Sequence, residues 1–359
     1  MPITTGMKGE GFYDRYSSPQ GAAVAAVLPW LEEAIQQMRI QESQAPVVVV
    51  DYGCSEGRNS IMAMHRIVPA LRGKTQRPIQ TVHSDLSTNN FNQVFANLAP
   101  GGQSTFSQPQ VYSAAVGGSM YEQLMPSGTV SVATTFNSIG FLDRRPETAL
   151  PNHILPMGPR RPRPGVGVSD QERKPFADQA RKDLTRFLRA RAAELVPGGK
   201  LLLASFGVNE QYRCCDGIYD VLNDALLDMV DQGRLPRGAY EHLIIPVYFR
   251  SKEELVAPLF QTESEVSAHF RLERVESMEI SVPFNENLKR GGDLNTYVGE
   301  FTGFLRAFSE PMLRLALKGE KALDALMEAV YGRVRARLLE DPKAYEFHYI
   351  QVATLLTRT

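Results

Sequence analysis

No stretch of the 359-residue chain approaches the about eighteen consecutive apolar residues that a bilayer span requires, and the N-terminus carries no apolar signal segment. Charge of one sign is also lacking. With 39 Lys and Arg against 40 Asp and Glu, the formal net charge of −1 gives no electrostatic case for nucleic acid. Cysteine is scarce: Cys54, Cys214 and Cys215 are odd in number and poorly spaced, which fits reduced thiols in a cytoplasm better than a disulfide frame or a zinc site. The histidines (His65, His83, His153, His242, His269 and His348) show no metal-ligand spacing, so no metal is expected. No internal repeat is present. What remains is a globular composition, 43% hydrophobic and 22% charged, able to bury one large α/β core or two closely joined lobes. The expectation is a soluble cytoplasmic protein without nucleic-acid partner or membrane span.

The most informative stretch is Val47-Val48-Val49-Val50-Asp51-Tyr52-Gly53-Cys54-Ser55-Glu56-Gly57-Arg58-Asn59-Ser60. Consecutive valines suit a parallel strand buried on both faces. Asp51 then falls at the strand's carboxyl end, and Gly53 and Gly57 let the turn bend and let a ligand approach the backbone. A plain strand-to-helix turn is the alternative. Neither a G-x-G-x-x-G fingerprint nor the Gly-Lys-Ser/Thr ending of a phosphate loop is present. Asp-x-Gly-x-x-x-Gly instead resembles the first motif of S-adenosylmethionine-dependent methyltransferases.

Residues 79–86 read as a second strand ending on Asp85, a helix and a return after Asp51. In a right-handed β-α-β unit both acids emerge at the edge where open parallel sheets bind ligands. The Asp85 carboxylate can accept both hydroxyls of a ribose, or it can cap the next helix. Further strands are predicted at 111–115, 130–136, 200–206, 270–280 and 347–356, and helices at 21–38, 176–196, 219–229, 252–259, 297–317 and 321–339. Pro197-Gly198-Gly199 should stop the long helix. The proline-rich and arginine-rich residues 151–175, with Arg160-Arg161-Pro162-Arg163-Pro164, read as a solvated, mobile loop. Met7 to Gln20 mixes glycines, aromatics and hydroxyls, and either caps the first helix or serves the site.

Several segments in order are similar to the SABATH methyltransferases, which mostly methylate small carboxylic acids and, in one branch, ring nitrogens. Tyr13-Asp14-Arg15-Tyr16-Ser17-Ser18-Pro19-Gln20 resembles Tyr-x-x-Asn-Ser-x-x-Gln, with Tyr16 at the asparagine. Asp85-Leu86 with Asn89, Phe91 and Asn92 resembles Asp-Leu-Pro-x-Asn-Asp-Phe-Asn, and Gly118-Ser119-Met120-Tyr121 resembles Gly-Ser-Phe-Tyr. Phe187, Leu188, Arg191, Glu194, Leu195, Gly198 and Gly199 follow Phe-Leu-x-x-Arg-x-x-Glu-Leu-x-x-Gly-Gly. Pro246, Tyr248, Ser251 and Glu254 resemble Pro-x-Tyr-x-x-Ser-x-x-Glu, and Arg306 to Leu313 resembles Arg-Ala-x-x-Glu-Pro-x-Leu.

The resemblance implies an α/β, Rossmann-like class I methyltransferase fold: a central, mostly parallel seven-stranded sheet with a mainly helical cap, commonly a homodimer. It divides the chain into a lid segment (1–20), a cofactor-binding core (21–206), mainly helical insertions interleaved with a core strand (207–340) and a final strand (341–359). It implies that Ser17, Asp51 and Asn59 hold the methionine end of S-adenosylmethionine, with Gly53, Cys54 and Gly57 also binding the cofactor in the strand-turn motif. Asp85 and Leu86 take the ribose and adenine, and Ser119 and Met120 the adenine side. Gln20 would hydrogen-bond a substrate carboxylate, with Lys8 and Tyr13 in the same N-terminal segment.

The substrate wall departs from the pattern. Where relatives carry Ser-Ser-Tyr-Ser-x-x-Trp-Leu-Ser, this chain has Thr135-Phe136-Asn137-Ser138-Ile139-Gly140-Phe141-Leu142-Asp143. Asn137 takes the tyrosine position and Phe141 the tryptophan position, so an indole donor is missing. Asn137 or another residue can replace it, Gly140 should widen the pocket, and Phe141 can equally be core packing. The expected reaction is methyl transfer to the carboxylate of a small hydrophobic acid, medium-chain fatty, terpenoid or aromatic, with S-adenosylhomocysteine as the other product. No catalytic base is nominated, because a carboxylate is already ionised at neutral pH. The alternatives are N-methylation of a heterocycle and a non-catalytic cofactor-binding scaffold.

Overall fold

The valine run forms the first strand, β1 (Val47–Tyr52), and all six of its residues are buried. Val47 and Val49 pack on one face of the sheet, Val48 and Val50 on the other, as a two-residue period demands. The computed structural model describes residues 6–99, 108–159, 165–214, 216–261 and 265–359. The other strands are β2 (Ile79–Asp85), β3 (Val111–Gly117), β4 (Val130–Phe136), β5 (Leu195–Phe206), β6 (Phe270–Ile280) and β7 (Tyr349–Arg358). They form one seven-stranded sheet in the order β3-β2-β1-β4-β5-β7-β6, parallel except that β7 runs antiparallel to both neighbours. The order reverses between β1 and β4, which opens a crevice at their carboxyl ends.

The helices are α1 (Phe12–Tyr16), α2 (Ser18–Gln37), α3 (Arg58–Arg72), α4 (Phe91–Leu98), α5 (Asp170–Glu194), α6 (Asp216–Asp231), α7 (Arg237–Glu241), α8 (Lys252–Phe260), α9 (Pro283–Lys289), α10 (Leu294–Ala316) and α11 (Leu323–Glu340). α2 and α3 cover one face of the sheet and α5 and α8 the other. α6, α7, α10 and α11 build a cap whose core runs without a break into Phe206 and Tyr349 of the sheet. Among the described residues no helix is long and apolar enough to cross a membrane.

Two expectations need correction. The long helix ends at Glu194, ahead of Pro197-Gly198-Gly199, because Leu195 is already extended and pairs with Val130. The glycines instead lie in an irregular start of β5. Residues 151–175 are also not a solvated loop in their described part: Ile154 and Leu155 are fully buried, and a Ser169/Glu172 capping box starts α5 at Asp170. The arginine cluster 160–164 and Cys215 lie outside the described residues.

The N-terminal segment is strapped across the cap and the β1–α3 turn. The Lys8 backbone N–H donates to Ala307 O at 2.9 Å, and its ammonium pairs with Glu310. Burial alone would raise the Glu310 carboxyl, but Arg306, Lys8 and Arg314 outweigh it and hold it at about 2. At the other end the Glu56 carboxylate accepts the Gly11 and Asp14 N–H groups, and Asn97 donates to both Asp14 and Glu56 O. Tyr16 lies in the space left by Gly303, where a Cβ would stand 2.3 Å from Tyr16 Cε1. Gly303→Ala is therefore expected to loosen the strap by about 1–3 kcal/mol, the usual cost of overpacking. The readout is faster tryptic cleavage at Arg15, with Tyr16→Ala in the same chain recovering the original rate. Unchanged cleavage in Gly303→Ala would refute this account of the strap.

Candidate functional site

The site forms where β1, β2, β4 and β5 end. After β1 the chain must turn sharply, and Gly53 adopts a left-handed φ of 94°. A Cβ there would lie 1.9 Å from Ser138 Oγ, so only glycine lets the loops after β1 and β4 meet. The turn is pinned to β2, with Gly53 and Cys54 N–H both donating to Ser84 O.

Asp85 closes the turn from the other side. Its Oδ2 accepts the Ser55 N–H at 2.7 Å and its Oδ1 accepts the Leu86 N–H at 2.8 Å. Asn90 caps the following helix, which leaves Asp85 free of that role. Each of its oxygens retains a lone pair for a further donor. Burial raises its carboxyl above the usual range, and the two N–H groups oppose that rise without cancelling it.

Behind the turn, Asp51 accepts the Thr134 hydroxyl at 2.8 Å. Burial pushes its carboxyl up to about 6, the Ser60 and Thr134 hydroxyls oppose the shift, and the Asp85 charge adds to it. His83, paired with Asp51 across β1 and β2, is fully buried and its imidazole is lowered to about 4 by burial. A neutral ring at that place is a strand-packing residue bonded to Ser60.

A cavity of about 300 Å³ opens above these groups. Of the residues predicted from sequence it brings together Tyr13, Gln20, Gly53, Asp85, Leu86, Ser119, Met120, Asn137 and Phe141. A smaller recess beside it is lined by Asp51, Cys54 and Asn59, and Tyr13, Gln20, Gly53 and Asn137 border both. Four predicted residues line neither. Lys8 is engaged by Glu310, Ser17 Oγ donates to Asp14 O at 3.5 Å, and Gly57 is the N-cap of α3. Gly140 does not widen the pocket: a Cβ on it would lie 2.5 Å from the Phe206 ring, which already fills that space.

Sequence reasoning missed the apolar side of the cavity. Met7, Leu142, Phe206, Tyr219, Phe304 and Phe308 line it, and Phe141 stands edge-on to Phe206 at 5.9 Å between ring centroids. Phe304 and Phe308 recur at helical spacing on α10, a pattern that core packing produces as well. Also missed were the supports of the walls. Arg250, buried, donates to Ile139 O at 2.6 Å and Ala180 O at 2.8 Å, fixing the turn at 138–140. Arg191 donates to Met120 O at 2.7 Å and Glu122 O at 2.8 Å, while Glu194 accepts the Leu124 and Met125 N–H groups, which shapes the loop after β3.

The family model described as "SAM dependent carboxyl methyltransferase" matches residues 3–359. Gibberellic acid methyltransferase 1 of Arabidopsis thaliana is 26% identical over 93% of this chain and 92% of its own. Farnesoic acid carboxyl-O-methyltransferase of the same plant is 27% identical over 70% of this chain and 73% of its own. Among solved structures, a loganic acid methyltransferase with SAH superposes with a TM-score of 0.79 at 21% identity, covering 98% of both chains.

S-adenosylmethionine is thus the cofactor, and the described residues fit it. Gln20 Oε1, Ser55 Oγ and Asn137 Oδ1 are buried polar atoms without a hydrogen-bond partner, and all three residues border the cavity. Such atoms are costly unless a ligand satisfies them. Asp51 and Asn59 would hold the amino-acid end in the recess, and Asp85 the ribose hydroxyls. Among the described residues no group of His, Cys, Asp or Glu is arranged to hold a metal ion. An ionised Asp51 would pair with the cofactor's ammonium, and protonation below about 6 would remove that charge. Affinity for S-adenosylhomocysteine should therefore weaken as pH falls from about 8 to about 5, by up to about tenfold per unit. Calorimetry across that range tests it: Asp51→Asn should flatten the profile, and a profile as steep in Asp51→Asn as in the native chain would remove Asp51 from this role.

Proposed function

The chain belongs to the SAM-dependent carboxyl methyltransferases of the SABATH family, and we propose that its acceptor is the carboxylate of a small, aliphatic, largely apolar acid of terpenoid or medium-chain type. The observation that carries this reading is the cavity wall: two uncharged carboxamides, Gln20 and Asn137, beside a chamber of Phe141, Phe206, Phe304, Phe308, Met7 and Leu142. Relatives named for gibberellic and farnesoic acids support a terpenoid acceptor. The free thiol of Cys54 supports a reducing, cytoplasmic setting, and the family resemblance supports a homodimer.

Bound S-adenosylmethionine supplies an activated methyl group. The residues of the chain have to hold the acceptor, aim it and keep water out. The Gln20 and Asn137 amide N–H groups would donate to the carboxylate. Asn137 is suited to its place because it sits at a left-handed φ of 64°, which asparagine tolerates, and its backbone N–H is fixed by Ala204 O at 2.8 Å. It supplies a donor where Phe141 has none. The strap, through Met7 and Tyr13, closes the chamber over the acceptor. Holding both reactants in line can supply about 7–11 kcal/mol of the barrier in favourable cases.

A panel of benzoic, indole-acetic, medium-chain fatty and farnesoic acids with labelled S-adenosylmethionine tests the proposal, and the highest kcat/KM is expected among the aliphatic acids. Asn137→Leu should lower kcat/KM by about ten- to a hundred-fold, the range for a hydrogen bond to a charged group, while S-adenosylhomocysteine still binds. A preference for the aromatic acids would overturn the aliphatic assignment. Methyl ester from none of the acids would overturn the acceptor reading altogether.

A further inference from the structure

The strongest feature that the proposed reaction leaves unused is a carboxylate in the cavity wall, Asp143, two residues beyond Phe141. It is rigidly held. Its N–H donates to Asp183 Oδ2 at 2.9 Å, and its Oδ2 accepts Arg186 Nη1 at 2.6 Å. Its Oδ1 accepts the Ser119 hydroxyl at 3.4 Å, beyond the range of a strong O–H···O bond, so this oxygen keeps acceptor capacity for another donor. A second carboxylate at a site that must also take an anionic acid would be counterproductive near the acceptor. Asp143 Oδ1 faces Ser119, on the side of the cavity assigned to the base of the cofactor, and the donor that fits it there belongs to the cofactor.

From the cofactor assignment, on which this inference rests, the position of that donor follows along the wall. Asp85 is placed for the ribose, and its backbone oxygen accepts the Gly118 N–H at 2.8 Å, so the wall next to the ribose is the segment Gly118–Met120. Leu86 and Met120 supply apolar surfaces for the faces of a planar base, and Ser119 with Asp143 supplies the polar edge. We propose that Asp143 Oδ1 accepts a hydrogen bond from the exocyclic amino group of the cofactor's adenine and thereby makes the site selective for adenine over a base bearing a carbonyl oxygen there. In hypoxanthine that amine is replaced by an oxygen, and an acceptor would face a carboxylate. Arg186 serves as a positioning residue, since it holds the other carboxylate oxygen and also pairs with Glu122 on the loop that follows Ser119.

Calorimetric binding of S-adenosylhomocysteine and S-inosylhomocysteine to the full chain tests this, with Asp143→Ser as a short neutral replacement and Asp143→Asn as an isosteric one. The native chain should prefer the adenine compound by about a hundred-fold, and Asp143→Ser should cut that preference by about tenfold or more, weakening the adenine compound and tightening the inosine one. Asp143→Asn should shift the ratio in the same direction to a smaller extent. Equal loss of affinity for both compounds would mean that Asp143 only braces the loop, and the proposal falls. It also falls if the native chain does not distinguish the two. Binding of neither compound by the native chain overturns the cofactor assignment of the cavity along with it, an outcome separate from the other two.

Discussion

The buried ion pair of Arg191 and Glu194 is the constraint on which the architecture of the site rests. Both side chains have no exposure, and two charges taken out of water cost several kcal/mol each unless every polar atom finds a partner. Here they do. Glu194 accepts Arg191, the Tyr52 hydroxyl and the Leu124 and Met125 N–H groups, and Arg191 also donates to Met120 O and Glu122 O and lies over the Tyr52 ring at 3.8 Å. The pair thus ties the end of β1 and the loop between β3 and β4 to the last turn of α5. That loop follows Gly118 without regular ladder partners, and its Met120 and Glu122 carbonyls and Leu124 and Met125 N–H groups take their partners from these two side chains. The wall proposed to hold adenine keeps its shape because a helix elsewhere in the chain satisfies it.

The sheet was legible because its strands carry the signals that burial requires. β4 and β6 have the bounds expected from their residue patterns, and the valine run of β1 needed no polar alternation because both faces are covered. The end of α5 was not legible, since Pro197-Gly198-Gly199 reads as a helix stop while pairing of Leu195 with Val130 ends the helix earlier. Tertiary pairing overrode the local signal. At the site, strand-end positions such as Asp51, Gly53 and Asp85 could be read, because a parallel sheet delivers them to one edge. The effect of Gly140 could not, because the ring that takes up its space, Phe206, comes from β5 and sequence spacing gives no hint of their contact. Phe304 and Phe308 were hidden for a related reason: a helix face turned to a cavity has the same periodicity as one turned to a core.

The late segments that carry the family resemblance turn out to be scaffolding. Ser251 and Glu254 form a capping box that starts α8, and Glu310, four residues after Arg306, gathers Arg306, Arg314 and Lys8 to anchor the strap. Similarity in such segments therefore reports on how walls are held more than on what they enclose. The chain departs from the pattern instead at Asn137 and Phe141, which line the cavity itself.

The chemistry of the proposed acceptor chamber favours that departure. Methyl transfer from a sulfonium to a carboxylate cancels one positive and one negative charge, so the transition state is less polar than the separated reactants. A lysine or arginine beside the carboxylate would bind the ionised acid more strongly than the transition state, and uniform or ground-state binding does not accelerate a reaction. Uncharged donors avoid this. Gln20 and Asn137 can orient the carboxylate without neutralising it, and the aromatic rings around it present little polarity to favour the charged reactants. Lys8 is the cation that the N-terminal segment brings nearest to Met7, and its engagement by the low-pKa Glu310 keeps its charge committed to the strap. The ion cluster that anchors the strap thus also keeps this charge out of the chamber proposed for the acceptor.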